Sequence, residues 1–142
     1  MVRVLGTCTL ANNLSLSGRQ VYNHGSSIVI RNSILHGLGG GELNDTLPTI
    51  HRSLVGSGYS GPGADNLQGD PLFLDASSGH YVLRIPSPCI DAGDNSYASG
   101  VNVDLAGQPR RMDVPSVPDQ GAGTAPIVDM GAYEQGKVRQ WR

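Results

Sequence analysis

One short pattern recurs in the first half of this 142-residue chain: an apolar residue, two variable residues, Cys or Ser, one variable residue and a second apolar residue. It occurs as LGTCTL at 5–10, IRNSIL at 30–35 and IHRSLV at 50–55. The central residues Cys8, Ser33 and Ser53 follow one another at intervals of 25 and 20 residues. Self-similarity at such intervals is typical of folds in which one supersecondary unit stacks on the next, so this repeat constrains the fold more than any other feature.

A repeat of 20–25 residues fits one coil of a parallel β-solenoid, in which short strands separated by turns stack about 4.8 Å apart. The small central residues are then expected to form a ladder in the narrow interior. A second stack, of apolar residues, is expected beside it: Leu10, Leu35 and Val55. Three imperfect copies leave an antiparallel meander or sandwich open as the alternative.

Composition narrows the fold class further. The chain contains 20 Gly and 9 Pro, and the longest segments free of both, 7–17 and 26–36, are eleven residues each. Helical bundles need several longer helices, so this class is excluded. A net charge of −2 gives no reason to expect nucleic acid as a partner. No stretch approaches about 18 apolar residues, so membrane insertion is not expected.

Four motifs follow one another in the second half of the chain. They are DPLF at Asp70–Phe73, YVLRIPSPCIDAG at Tyr81–Gly93, DLAGQPR at Asp104–Arg110 and DMGAYE at Asp129–Glu134. This order resembles the C-terminal portion of right-handed parallel β-helix (pectin-lyase-like) proteins of the choice-of-anchor Q and polymorphic outer-membrane type. The resemblance implies an extracellular or surface protein and no single reaction. The sequence shows no export signal, which leaves a cytoplasmic location open as well.

The repeat and the resemblance together predict an all-β fold, a short right-handed parallel β-helix (solenoid) with a loop-rich C-terminal cap. We expect β-helix coils in residues 1–69, with the last coil and the cap region of the same domain in 70–136. Residues 137–142, KVRQWR, are expected to form a basic tail. Cys8 and Cys89 are expected to be separate thiols rather than a disulfide.

The sequence specifies binding or catalytic residues less well than it specifies the fold. Residues 65–136 carry ten acids against three arginines, which would attract cations, although aspartates in turns commonly accept backbone N–H bonds instead. Asp91, Asp94 and Asp104 are the candidate binding residues, as an acidic turn cluster. No catalytic residue, metal ligand or cofactor is assigned, with calcium as the alternative because hard cations take several oxygen ligands.

The sequence therefore favours a non-catalytic structural or adhesive β-helix module. Its first coil begins at Val2 and has no polar cap, so we expect a homo-oligomer that self-associates through this coil. The alternative function is a carbohydrate-binding or polysaccharide-degrading β-helix domain, with a glycan or a protein as ligand. Nucleic acid is not an expected partner.

Overall fold

A computed structural model describes residues 2–13, 20–37 and 43–136. The expected basic tail, 137–142, lies outside these ranges. The strands are β1 (Val2–Gly6), β2 (Thr9–Ala11), β3 (Val21–Asn23), β4 (Ser27–Arg31), β5 (Ile34–His36), β6 (Leu43–Asp45), β7 (Thr49–His51), β8 (Leu54–Val55), β9 (Gly63–Ala64), β10 (Phe73–Asp75) and β11 (His80–Leu83). Two short 3₁₀ helices span Ala76–Ser78 and Asn95–Ala98.

Parallel pairing between successive repeats organises the first half of the chain. Three sheets run in the orders β1-β4-β7-β9, β2-β5-β8 and β3-β6, and every pair within them is parallel. Leu5 pairs with Ile30 and Ile30 with Ile50, while Leu10, Leu35 and Val55 pair in the same way. The sequence repeat therefore marks the strand register, and the predicted apolar stack is confirmed.

Each repeat bends at the same position, just before its small central residue. Thr7, Asn32 and Arg52 have φ values of 53°, 46° and 47°, and Asp65 has 60°. This left-handed conformation is uncommon for residues with a side chain, and Asn and Asp tolerate it best. One left-handed residue per repeat turns the chain from a strand of the first sheet into a strand of the second.

The predicted fold class is wrong. We expected an all-β, right-handed parallel β-helix with a loop-rich C-terminal cap. The described residues instead form a small, mostly-strand domain of mixed sheets: β10 and β11 are antiparallel, two 3₁₀ helices are present, and no closed solenoid is shown. The repeat specifies pairing between neighbouring strands, but it does not specify that the sheets close around one axis. The parallel pairing of β7 with β9, in which Ile50 pairs with Gly63, also follows an interval much shorter than 20 residues.

Two apolar clusters lie in the interior. One contains Ile30, Leu35, Ile50 and Val55, all from the repeats. The other joins the repeats to the second half of the chain, with these buried members: Ile34, Leu54, Phe73, Leu83, Cys89, Ile90, Ala92, Val114 and Met130. Residues on both sides of the expected boundary at 69/70 thus share one core. This core holds the acidic segments of the second half against the repeats.

Candidate functional site

Two of the three predicted binding residues hold turns. Asp94 precedes the 3₁₀ helix Asn95–Ala98, and its Oδ1 accepts hydrogen bonds from the Ser96 backbone N–H (2.8 Å) and hydroxyl (2.6 Å). Oδ1 of Asp104 accepts from the backbone N–H groups of Ala106 and Gln108, each at 2.8 Å, and its Oδ2 accepts from that of Glu134 at 2.9 Å. Carboxylates used in this way stabilise the local backbone.

Asp91 is the predicted residue that lies in an acidic cluster. Its carboxylate has oxygens within 4.8 Å of those of Asp113 and Asp119, and no other group of three or more His, Cys, Asp or Glu in the described ranges meets this distance. Asp91 is completely buried, whereas Asp113 and Asp119 are exposed. The three predicted acids therefore do not form one cluster, and two members of the real cluster were missed.

The backbone around Asp91 is tightly held. Its φ is 51°, its N–H donates to Oδ1 of Asp129 at 2.8 Å, and its carbonyl accepts from the N–H groups of Gln120 and Gly121 at 2.9 Å. These last two bonds place the loop that carries Asp119 directly beside Asp91. The acidic bias of residues 65–136 was the one sequence signal for this cluster, because loop residues 22 and 28 positions apart from Asp91 follow no period.

The electrostatic environment of Asp91 disfavours its charge. The pKa of its carboxyl is raised to about 6, chiefly by burial, with a smaller contribution from the nearby carboxylates of Asp119 and Asp113, while the Val114 backbone N–H opposes the shift. Neither oxygen of Asp91 has a hydrogen bond of normal geometry among the described residues. A buried carboxylate without a partner is costly, so this group needs either a proton or a cation.

A second polar group lies in the interior around Arg110. Its Nε lies 3.3 Å from Oε1 of Glu134, and both side chains are buried. The guanidinium also donates to the carbonyls of Asp129 and Gly131. Both carboxylate oxygens of Glu134 accept from the Asp129 N–H, at 3.1 and 3.2 Å. One arginine therefore faces two buried acids.

Burial shifts the titration of both acids in this group. It raises the pKa of Glu134 and of Asp129 well above the ordinary carboxyl range, against the opposing attraction of Arg110. The mutual repulsion of the two carboxylates adds to the shift of Glu134. These residues belong to two of the sequence motifs, Asp104–Arg110 and Asp129–Glu134, but sequence reasoning did not predict that they pair in the interior. In the described structure the two acids join the segment 129–134 to Arg110, while the N–H groups of Gly131 and Ala132 attach this segment to the repeats.

An open pocket of about 180 Å³ is formed by residues between 43 and 61, and it is lined in part by Leu43, Leu47, Val55 and Tyr59. Ligand pockets are commonly about 300–1,000 Å³ and carry a few convergent polar groups. The Tyr59 hydroxyl already donates to the Pro48 carbonyl. The pocket is therefore small and offers little chemistry.

Comparison with known proteins identifies no relative: no family model, curated protein or solved structure matches the chain. Within the ranges that the structure describes, no helix is long and apolar enough to span a bilayer. The cysteines are free, as predicted, with Cys8 half-buried and Cys89 buried.

Proposed function

We propose that this protein is a non-catalytic structural or adhesive module that self-associates through the outer edges of β1, β2 and β3. The observation that carries the proposal is the edge strand β1. It pairs with β4 on one side, and its side chains Val2 and Val4 are 60% and 55% exposed. A five-residue edge strand presents unpaired N–H and C=O groups that another strand can pair with.

The neighbouring strands add to this edge. Among the described residues, β2 and β3 are also first in their sheets, and Tyr22 on β3 is 59% exposed. Because β1, β2 and β3 pair with the consecutive strands β4, β5 and β6, their outer edges lie at one end of the domain. Three edges and three large apolar side chains therefore form a single surface, which we call the β1 end.

The composition of the β1 end favours a second copy of this chain as its occupant. Proteins usually protect edge strands with several charges, with proline or with bulges. The sequences of β1, β2 and β3 are VRVLG, TLA and VYN, in which Arg3 is the single charged residue and proline is absent. Two copies can therefore meet at this end with little charge repulsion.

Two of the three candidate acids support a non-catalytic role. General acid–base catalysis on glycans requires two carboxyl groups free to face the substrate. The oxygens of Asp94 and Asp104 are instead engaged with backbone N–H groups. The resemblance to choice-of-anchor Q and polymorphic outer-membrane proteins remains a proposal about sequence relationship, supported by the order of the four motifs in residues 70–134, and it carries no fold.

Light scattering coupled to size exclusion, over a hundredfold range of concentration, tests self-association. We expect a dimer or larger oligomer that Val4→Lys converts to monomer, because two lysines would face each other across the paired edge. Leu105→Lys is the matched control, since Leu105 is 71% exposed in a turn of the second half, and it should leave the oligomer unchanged.

Hydrogen exchange at the β1 amides distinguishes the occupants. A monomer at every concentration contradicts the proposal. A monomer whose β1 amides are nevertheless protected contradicts it too, because another part of the chain would then pair with this edge.

A further inference from the structure

The geometry points to a calcium site formed by the carboxylates of Asp91, Asp113 and Asp119. This inference is independent of self-association at the β1 end. It rests on two observations: the spacing of the three carboxylates, and the burial of the Asp91 carboxylate without a hydrogen-bond partner.

The spacing fits a single hard cation. The three contributed oxygens all lie within 4.8 Å of one another. Ca²⁺ binds oxygens at 2.3–2.6 Å, so two ligands of one ion can be separated by up to about 4.6–5.2 Å. Mg²⁺ binds at 2.0–2.1 Å and allows at most about 4.0–4.2 Å. An all-oxygen donor set without His or Cys also disfavours zinc and copper.

The second observation is the state of Asp91 itself. The residue is 0% exposed, and both of its carboxylate oxygens lack a hydrogen-bond partner among the described residues. Burying a carboxylate without partners costs several kcal/mol, so natural proteins pair such groups or bind a metal with them. The other described aspartates of the predicted site, Asp94 and Asp104, do have donors. Asp91 is therefore the oxygen ligand that the local fold leaves unused.

The surroundings of Asp91 are negatively charged and open to solvent. Asp113 and Asp119 are exposed, so an ion can reach the site from solvent without opening the core. Arg52, which contacts the loop that carries Asp119, donates to the Gln120 carbonyl at 3.2 Å and pairs with Asp65 at 3.5 Å. Three carboxylates provide three to six of the six to eight oxygens that Ca²⁺ takes, and water completes the shell. Such a site resembles extracellular calcium modules, with Kd values on the order of 10⁻⁴–10⁻³ M.

The site can be tested by titrating the chelator-treated chain with CaCl₂. Calorimetry measures the binding, and the thermal midpoint measures its effect on stability. We expect one equivalent of Ca²⁺ to bind and the Tm to rise by several degrees at 10 mM, since a ligand that binds only the folded state stabilises it. Mg²⁺ should bind at least about tenfold more weakly, because it demands near-ideal octahedral geometry and gives up its bound waters reluctantly.

Asp119→Asn is the informative variant, because Asp119 is exposed and its carboxylate makes no hydrogen bond or ion pair with the described residues. It should weaken Ca²⁺ binding at least about tenfold, since one carboxylate ligand is lost. The matched control is Asp70→Asn, which removes the same charge while an amide oxygen can still accept the Leu72 N–H bond. Absence of calcium binding, equal affinity for Mg²⁺, or equal weakening by Asp70→Asn would each overturn the assignment.

Discussion

Asn32 and Asp94, 62 residues apart in the sequence, are joined by two hydrogen bonds. Nδ2 of Asn32 donates to the Asp94 carbonyl, and the Asp94 N–H donates to Oδ1 of Asn32, both at 2.8 Å. Asn32 is completely buried, and its backbone carbonyl accepts from the Gly131 N–H at 2.8 Å. The left-handed bend of the second repeat is therefore also the point at which the second half of the chain is attached.

Replacement of Asn32 by Ala is expected to lower the free energy of unfolding by about 2–4 kcal/mol. The substitution leaves the half-buried Asp94 N–H without a partner, at roughly 1–3 kcal/mol. It also leaves the Asp94 carbonyl with the Tyr97 N–H as its remaining donor and puts Ala at a φ of 46°. Urea unfolding monitored by circular dichroism measures the change. The control is Asn12→Ala, since Asn12 is half-buried with a similar φ of 55° and should lose less than half as much. Equal losses in the two variants would show that backbone strain, not the Asn32–Asp94 pair, carries the effect.

The ladder of small residues connects successive repeats by a repeated bond. The Cys8 N–H donates to Oγ of Ser33 and the Ser33 N–H to Oγ of Ser53, both at 3.1 Å. The Ser53 N–H donates to Oδ1 of Asn66, also at 3.1 Å, so Asn66 is the last rung. Each serine hydroxyl in turn donates to the carbonyl two residues before it. The predicted ladder is thus confirmed and is extended by one residue.

Ser33→Ala should destabilise the protein by about 1–3 kcal/mol, because the half-buried Cys8 N–H loses its partner and the Arg31 carbonyl loses one of its two donors, keeping the Thr7 N–H. Chemical unfolding at constant pH provides the measurement. Ser27→Ala on the exposed start of β4 is the control and should change stability by less than about 0.5 kcal/mol. A loss at Ser33 no larger than that at Ser27 would contradict a structural role for the ladder.

The sequence repeat predicted the contacts between neighbouring repeats, but it did not predict how the sheets or the later loops are arranged. The pairing of Leu5 with Ile30 and the ladder at Ser33 follow from spacing, because a parallel register is set locally. The sequence did not predict that the sheets are mixed and not closed into a solenoid. It also missed Asp113 and Asp119, because their approach to Asp91 depends on loop hydrogen bonds over long separations. Asn66 was missed because it continues the ladder with a different residue type.

Cys89 is expected to resist alkylation in the folded protein. Its thiol is fully buried, and burial raises its pKa to about 12, so the reactive thiolate is scarce at neutral pH. Cys8 is half-buried, and burial raises its pKa as well, against the nearby charge of Arg110. With iodoacetamide at pH 8, we expect Cys89 to react at least about tenfold more slowly than Cys8. Mass spectrometry of peptides from samples quenched over time gives both rates.

Labelling in guanidinium chloride is the control for intrinsic reactivity, because both thiols should then react at similar rates. The Cys8→Ser variant isolates the signal of Cys89 and should stay unlabelled until the chain unfolds. Rapid labelling of Cys89 in the folded state would show that the core around Ile90 and Met130 opens readily.

The buried acids predict an unusual dependence of stability on pH. Burial raises the pKa of Asp91 to about 6, and it raises the pKa values of Asp129 and Glu134 as well. The unfolded chain releases these protons near pH 4, so the folded protein binds more protons than the unfolded chain above that pH. The stabilisation that these three carboxyl groups give the folded protein is therefore fully present below about pH 4. It is lost as the pH rises through their raised pKa values.

We accordingly expect the free energy of unfolding, measured in urea with a chelator present, to decrease from pH 5 to pH 9. Glu134→Gln removes one of the raised carboxyls while an amide can still accept the Asp129 N–H bond, so its profile should be flatter. A free energy that increases over this range in the unmodified protein would contradict the prediction. That result would mean that the attraction of Arg110 outweighs the burial of the two acids beside it, and that both are ionised throughout.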